Sequence, residues 1–390
     1  MPNFRLLAAA GLSATTSQND PLMIDILCDV NPYLNPPKFN PLAAMSAKST
    51  GLSAEEIQRH PAFSTARWDL KPTTSGYVQV AESRPGGPFP MWYEVHGTGP
   101  QKVVWIMGLG ASRTVWKRQT RYFGHRHADR YTSLVFDNRG VGRSAKPSCR
   151  YSTSEMARDV VELLRQIGWL DTDSPHYPRD LNIAGLSLGG MIAQELALLV
   201  PQRVRSLILA STAPRLIRTV HTLGHLRRRV DMFFPYGVDA ELNGKAHRLF
   251  TQKYLDAPDS GSLVPETTFP TNLDRFTAEQ LVERTEDAEL PRRKGVILQA
   301  IAAGWHHKTD AELATMGDGV GRTRIMVMHG TFDETITFPH FELFKTALGD
   351  GPEYIAWKDC GHLPSHERET EFNEAVRDFI DKIAGLPESA

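Results

Sequence analysis

The sequence predicts an α/β protein with a mostly parallel, doubly wound sheet and an inserted helical cap. Three observations lead to this fold class. Short, continuously apolar runs recur along the chain, as in strands that are buried on both faces of a parallel sheet. Helical segments with one apolar face alternate with these runs. Residues 213–322 interrupt the alternation with a long stretch that is rich in helix formers.

Charge and composition exclude several classes of protein. The 390 residues include 44 Lys+Arg and 45 Asp+Glu, a formal net charge of -1. This balance argues against a nucleic-acid-binding protein and against bulk attraction to anionic membranes, both of which need excess positive charge. No uncharged apolar run approaches the ~20 residues of a membrane helix, so no integral membrane segment is expected.

Cysteine use indicates neither a metal site nor a disulfide framework. The three cysteines are far apart and form no CxxC pair. Their scarcity favours a reducing compartment, and we predict a cytoplasmic protein. One arginine before a short Leu/Ala run at the N-terminus leaves a targeting segment as an alternative. The quaternary state stays open, with a homo-oligomer among the alternatives.

The first 75 residues are predicted to form an irregular N-terminal arm. Several prolines between residues 32 and 41 prevent a long helix there. A short helix is expected at 53–59, where Ser53 and Glu56 have the spacing of a capping box. We expect this arm, residues 1–75, to pack on the main domain.

The main domain is predicted to comprise residues 76–212 and 323–390, with the cap, residues 213–322, inserted between them. Two β-rich runs, 76–82 and 91–96, predict an antiparallel pair. The buried parallel strands are predicted at Val103–Met107, Leu134–Phe136, Leu181–Gly185, Val204–Ala210, Ile325–Met328 and Tyr354–Trp357. Helices are predicted at 152–168, with Ser152 and Glu155 as a capping box, at Met191–Val200 and at Glu369–Ile383.

The strongest chemical signal is the run Gly-Leu-Ser-Leu-Gly-Gly at 185–190. It follows a predicted strand and opens a predicted helix, which is the context of a G-x-S-x-G nucleophile elbow. Such a turn strains the serine backbone and raises its hydroxyl above the sheet, so neighbours two positions away must lack side chains. Gly185 and Gly189 meet that requirement. Ser187 is therefore the candidate nucleophile.

A serine hydroxyl needs a base to take its proton, and that base needs a carboxylate to orient it. His362 directly follows the last predicted strand, which ends at the same sheet edge as the elbow. His366 is its nearest rival. Asp333 follows the strand before it and is the candidate acid, with Glu334 as the alternative.

The chain order Ser187, Asp333, His362 resembles that of the α/β-hydrolases, in particular the lipase, esterase and enol-lactonase type. The resemblance extends over residues 76–390. Its motifs are GLSLGG at 185–190, MGLGAS at 107–112, FDNRGVGRS at 136–144, HGTFD at 329–333 and GH at 361–362.

This resemblance implies an oxyanion hole made by two backbone N–H groups. The first is that of Leu188, the residue after the nucleophile. The second comes from the loop after the 103–107 strand, where Leu109 is the expected donor. Family members often have a histidine where this chain has Met107, so a side chain that usually braces the loop is replaced here.

The cap is expected to determine specificity. Phe233, Phe234 and Tyr236 are candidates for an apolar acyl pocket, although the cap also needs such residues for its own core. Trp305 and His306 follow an apolar run and are candidates for the mouth of the site. The arginines near the start of the cap form either a solvated face or a site for an acidic group.

These residues predict a serine hydrolase that cleaves a carboxylic ester or lactone, with a hydrophobic acyl part, through an acyl-enzyme. The expected partner is a small-molecule substrate, and neither a cofactor nor a metal is expected. No Gly-x-Gly-x-x-Gly run and no Walker lysine indicate a nucleotide. Two alternatives remain open: the same triad acting on C–C, amide or peroxy chemistry, and a small-molecule receptor without turnover.

Overall fold

A computed structural model of the protein describes residues 51–170, 178–219, 237–286 and 292–386. Its centre is one eight-stranded sheet with the strand order β1-β2-β4-β3-β5-β6-β7-β8. The strands are β1 (Thr74–Val80), β2 (Phe89–His96), β3 (Gln101–Ile106), β4 (Tyr131–Phe136), β5 (Leu181–Leu186), β6 (Val204–Ala210), β7 (Ile325–Gly330) and β8 (Glu353–Trp357).

Helices alternate with these strands. They are α1 (Ala54–Arg59), α2 (Lys117–Arg121), α3 (Thr153–Gln166), α4 (Leu188–Leu199), α5 (Val238–Leu249), α6 (Gln252–Asp256), α7 (Asn272–Glu286), α8 (Arg292–Trp305), α9 (Asp310–Val320), α10 (Pro339–Leu348), α11 (Pro364–Glu367) and α12 (Glu369–Ala384). Short 3-10 segments lie at Pro61–Ala66, Arg113–Trp116, Pro201–Arg203 and Arg322–Arg324, and a π-helical turn at Tyr122–Arg126. The predicted fold class is confirmed.

The pairing of the strands sets the position of the site. β2 is antiparallel to β1 and β4, as predicted for the first pair, and the remaining neighbours are parallel. The carboxyl ends of β3, β5, β6, β7 and β8 therefore meet at one sheet edge. Strands β3, β5, β6 and β7 are almost continuously buried, which explains their unbroken apolar sequences.

Helix caps agree with the sequence in one case and depart from it in another. At α1 both halves of the Ser53–Glu56 capping box are present. At α3 the Ser152 side chain accepts from the Glu155 N–H, but the Glu155 carboxylate does not return to the cap. It pairs instead with Arg84, because the Arg84 guanidinium lies among three carboxylates in this part of the surface.

The described part of the N-terminal arm packs on the cap as well as on the main domain. Ile57, Ala62 and Ala66 share a small apolar core with α5 and α7, separate from the core of the sheet. Trp68 follows and lies against three cations of α2. The main domain is contacted by Trp68 and by Thr73, whose N–H donates to the Val95 carbonyl of β2, while the apolar side chains before Trp68 pack on α5 and α7 of the cap.

The predicted cap, residues 213–322, contributes helices of two kinds. α5, α6 and α7 contact one another, while α9 contacts α4 and α10. α9 thus lies in the helical layer of the main domain. Among the described helices, none has the length and apolar character that crossing a membrane requires.

Candidate functional site

Ser187 lies in the sharp turn between β5 and α4 and has a strained backbone conformation. Its φ is 57° and its ψ is -122°, a left-handed conformation that is rare for a residue with a side chain. A Cβ on Gly185 would lie 2.4 Å from the Gly189 carbonyl oxygen, and one on Gly189 would lie 2.0 Å from the Ile106 oxygen. The two glycines are needed because backbone occupies the space of their side chains.

Hydrogen bonds to the end of β6 and to Thr212 just after it hold this turn. The Ser187 N–H donates to the Ala210 carbonyl at 2.9 Å. The Thr212 hydroxyl donates to the Ser187 carbonyl at 2.7 Å. A Cβ on Gly190 would lie 2.6 Å from the Thr212 Cβ, so this residue also closes on the turn.

Asp333 and His362 are brought together by two loops that follow β7 and β8. The His362 Nδ1 lies 2.7 Å from Asp333 Oδ2. The loops are joined by the Phe332 N–H, which donates to the Cys360 carbonyl at 2.9 Å. A Cβ on Gly330 would lie 2.2 Å from the Gly361 oxygen, which shows how closely the two backbones approach.

Both oxygens of the Asp333 carboxylate meet hydrogen-bond donors. Oδ1 accepts from the N–H groups of Thr335 and Ile336, both at 2.8 Å. Oδ2 faces His362 and lies 3.3 Å from His329 Nε2, which is itself 2.7 Å from the Ile336 carbonyl oxygen. Burial alone raises the pKa of this carboxyl, but the charge of His362 and the hydrogen bonds of both histidines outweigh burial and hold the pKa of Asp333 well below its usual range.

The sequence favours Asp333 over Glu334 as the acid, and the Asp333 carboxylate is the one that contacts His362. The rival base, His366, is buried in α11 and lies beside Ser365. Burial, with Arg118 close by, lowers the pKa of His366 well below its ordinary value. Its ring therefore stays neutral inside the protein.

Ser187 and His362 share the sheet edge without a hydrogen bond between them. Both are largely buried, with 8 % and 3 % of their surface exposed. Within the described ranges, the Ser187 hydroxyl makes no hydrogen bond to His362. Catalytic hydrogen bonds are often loose in a protein without substrate and tighten when substrate binds.

The two predicted oxyanion donors lie next to Ser187 in the chain and on the loop that approaches it. Leu188 is the first residue of α4, so its N–H has no partner inside the helix. The loop of residues 107–112, which we call the oxyanion loop after its predicted role, approaches this turn. A Cβ on Gly108 would lie 3.2 Å from the Ser187 Cβ. The next N–H, that of Leu109, makes no hydrogen bond in the described part of the chain.

Side chains from three directions hold the oxyanion loop. The Asn138 amide donates to Met107, with Nδ2 3.0 Å from the sulfur. Ser112 donates to Glu283 of α7 at 2.6 Å. Gln299 of α8 accepts from the Gly110 N–H at 2.9 Å. The loop is therefore braced without a histidine at position 107.

The predicted pocket residues either contact other parts of the protein or lie outside the described residues. Phe233, Phe234 and Tyr236 are outside them. Trp305 is 73 % exposed and stacks against Arg150. His306 is buried, and its Nδ1 lies 2.9 Å from the Thr153 hydroxyl. Burial and the nearby Lys308 lower the pKa of His306 to about 3, so this ring is a neutral structural contact between α8 and α3.

In the described ranges, no three His, Cys, Asp or Glu side chains are grouped so that they could hold a metal ion.

Two functional candidates were missed on the sequence. His329 was seen only as part of the HGTFD motif, although it shares Asp333 with His362. Gln299 lies inside the apolar run 296–303, and no functional role is predicted for it from the sequence. A single amide in an otherwise apolar helical run is a signal that a buried hydrogen-bonding role exists.

Comparison with known proteins places this chain in a family. A family model of the alpha/beta hydrolase fold matches residues 102–257. The chain is 30% identical over 302 residues to "Putative carbamate hydrolase RutD" of Yersinia enterocolitica, covering 76% of this chain and 94% of that protein. It is 31% identical over 145 residues to the protein of the same name from Azorhizobium caulinodans, covering 37% of this chain and 49% of that protein. The chain spans about half, or less, of several curated relatives that it matches.

Solved structures share the fold at lower identity. An esterase from Thermogutta terrifontis has a TM-score of 0.58 at 21% identity, covering 80% of this chain and 99% of that one. The enol-lactonase from Burkholderia xenovorans has a TM-score of 0.58 at 20% identity, covering 78% of this chain and 100% of that one. The chain belongs to the α/β-hydrolase fold family.

Proposed function

We propose that this protein is a serine hydrolase that cleaves a carboxylic ester or lactone through an acyl-enzyme. The observation that carries the proposal is the hydrogen bond between Asp333 and His362 at the sheet edge where the strained turn holds Ser187. A hydroxyl, an imidazole and a buried carboxylate at one edge are the three groups that acyl transfer by serine requires.

In the first step, the Ser187 oxygen attacks the acyl carbon while His362 Nε2 takes the hydroxyl proton. Asp333 holds His362 through Nδ1, which keeps Nε2 free as the base and stabilises the imidazolium that forms. Because both oxygens of the carboxylate accept hydrogen bonds, its orientation is fixed before substrate binds.

The carbonyl oxygen of the substrate becomes negative in the tetrahedral intermediate. The N–H groups of Leu109 and Leu188 are the proposed donors to this oxyanion. The N-terminus of α4 adds the favourable end of a helix dipole at the same place. When the intermediate collapses, His362 returns the proton to the leaving alcohol, and an acyl-Ser187 ester remains. Water, activated by His362, then releases the acid.

An ester or lactone is the proposed substrate class. The similar solved structures include an esterase and an enol-lactonase, and the curated relatives named above carry the name of a carbamate hydrolase. All three names describe attack on an acyl carbon that bears a heteroatom leaving group, which the proposed mechanism accommodates. A small molecule with a hydrophobic acyl part remains our expectation for the natural substrate.

The test is hydrolysis of a panel of p-nitrophenyl esters, lactones, carbamates, amides and vinylogous diketones by wild type and Ser187→Ala. We expect ester or lactone turnover to fall by about 10⁴-fold or more in the variant, with an unchanged unfolding midpoint. Turnover that survives in Ser187→Ala would overturn the proposal. Turnover of diketones or amides alone would assign the other chemistry to this triad.

A further inference from the structure

The cap reaches the oxyanion loop through one fully buried side chain. Gln299 lies on α8, and no part of it is exposed. Its Oε1 accepts from the Gly110 N–H at 2.9 Å. Its Nε2 donates to the Arg139 carbonyl at 2.8 Å. One amide therefore joins the loop after β3 to the loop after β4.

Close backbone contact fixes α8 in the position that this bridge needs. A Cβ on Gly295 would lie 1.8 Å from the Gly140 oxygen, so helix and loop touch without a side chain between them. A Cβ on Gly110 would meet Val296 at 3.4 Å. Gln299 follows Gly295 by one helical turn and so lies on the same face of α8.

The bridge acts on the peptide next to the proposed oxyanion donor. The Gly110 N–H belongs to the peptide group that follows the Leu109 Cα. Gly110 has a φ of +67°. Glycine adopts positive and negative φ about equally readily, so side-chain sterics do not fix the backbone here. A hydrogen bond at this N–H therefore restrains the backbone on one side of Leu109, and with it the direction of the Leu109 N–H.

We propose that Gln299 is a positioning residue, which holds the oxyanion loop in its active geometry from the cap. This inference rests on the proposed function, because it assigns a partner to the same oxyanion hole. Gln299 acts through Gly110 and Leu109. Its contribution should therefore appear in the transition state more than in substrate binding.

The experiment compares Gln299→Leu with Asn182→Leu. Asn182 is also fully buried, and it is matched in its bonds: its Nδ2 donates to the Lys102 carbonyl, and its Oδ1 accepts from the Ser206 hydroxyl. It lies at the opposite end of β5 from Ser187. Both variants lose two hydrogen bonds of one buried amide, but only one of them touches the oxyanion loop.

With the best ester of the panel, we expect Gln299→Leu to lower kcat by about 10- to 100-fold, with KM changed by less than about threefold. This is less than the ~100- to 1,000-fold cost of removing an oxyanion donor outright, because the Leu109 N–H is displaced and not deleted. Asn182→Leu should keep the kcat of wild type. Amide hydrogen exchange in a peptide spanning residues 107–112 should accelerate in Gln299→Leu alone.

Equal kcat in Gln299→Leu and wild type, or an equal fall in both variants, would overturn the inference. If Gln299→Leu does not fold, Gln299→Asn retains the amide on a shorter stem, and a kcat equal to wild type in that variant, with unaltered exchange of the loop, also overturns it. The proposed function is judged separately by Ser187→Ala. Serine-dependent turnover with an inert Gln299→Leu would refute only the role of Gln299.

Discussion

The four parts of the candidate site differ in what holds them. Ser187 is held by the main domain, through bonds with Ala210 and Thr212. The Asp333 carboxylate accepts from N–H groups of its own loop, and that loop has one bond to the cap, from the Thr335 hydroxyl to the Arg248 carbonyl of α5. His362 and the oxyanion loop are held in part by the cap. The His362 N–H donates to the Leu249 carbonyl of α5 at 2.8 Å, and Gly110 donates to Gln299 of α8.

This difference shows that the cap does more than cover the sheet. The Ser187 turn keeps its geometry through bonds to the end of the buried strand β6 and to Thr212 after it. Base and oxyanion loop have at least one bond each to helices that are inserted into the main domain. A change in the cap should therefore alter proton transfer and oxyanion stabilisation while the Ser187 turn stays in place.

The largest effect in this comparison is expected at the acid itself, in Asp333→Asn. An amide cannot stabilise the imidazolium and favours the wrong tautomer of His362, so we expect kcat to fall by about 10⁴-fold, the size known for such a change in a serine protease. The measurement is the ester assay with the unfolding midpoint of the variant alongside. A fall of tenfold or less would remove Asp333 from the proposed mechanism.

The same variant tests the electrostatics of the carboxylate. Its pKa lies below the usual value of about 3.9, so the stabilisation by Asp333 is present above that value and is lost as the pH falls through the lower folded pKa. We expect the difference in unfolding free energy between wild type and Asp333→Asn, about 2 kcal/mol near neutral pH, to shrink below about pH 4. Urea unfolding at several pH values measures it. A difference that grows in acid contradicts the sign.

A smaller effect is expected on the cap side, at Gly361→Ala. The added Cβ would lie 2.7 Å from the Leu249 oxygen and 3.0 Å from the Phe250 Cα, so the His362 loop must move away from the cap. We expect kcat to fall by about tenfold, by the loss of alignment that small displacements cause. Steady-state kinetics of this variant that match wild type would mean that the cap contact does not position the base.

The smallest effect is expected at Thr212→Val, which removes the hydroxyl that donates to Ser187 O. Loss of one buried hydrogen bond should cost about 1 kcal/mol of unfolding free energy. The Ser187 N–H keeps its bond to Ala210, so kcat should change by less than about threefold. A larger loss of kcat than in Gly361→Ala would reverse the comparison.

Local chemistry explains which parts of the site could be predicted from the sequence. The Ser187 turn needs glycines at fixed positions, and Gly185 and Gly189 can be recognised at those positions in the sequence. Asp333 and His362 follow strands that the apolar runs predict, and the order of the parallel strands brings both loops to one edge. The prediction that the last strand is buried is wrong, because β8 is an edge strand and only half-buried. The fold class followed from the same runs.

The remaining parts depend on contacts that no local pattern contains. Gln299 meets Gly110 and Arg139 across 189 and 160 residues of sequence, respectively, and a helical apolar run gives no indication of either partner. The packing of Ile57 on α7 depends on a surface formed by the cap itself. The Glu155 carboxylate was expected at a helix cap but pairs with Arg84, because a long-range ion pair competes with the local bond.

The most direct test of the account is the mass of the protein during turnover of an activated ester. Rapid quench in acid followed by intact mass spectrometry should reveal the mass of one acyl group, and peptide mapping should place it on Ser187 in wild type and nowhere in Ser187→Ala. Ester turnover without an acylated protein, or with the acyl group on another residue, would contradict the account.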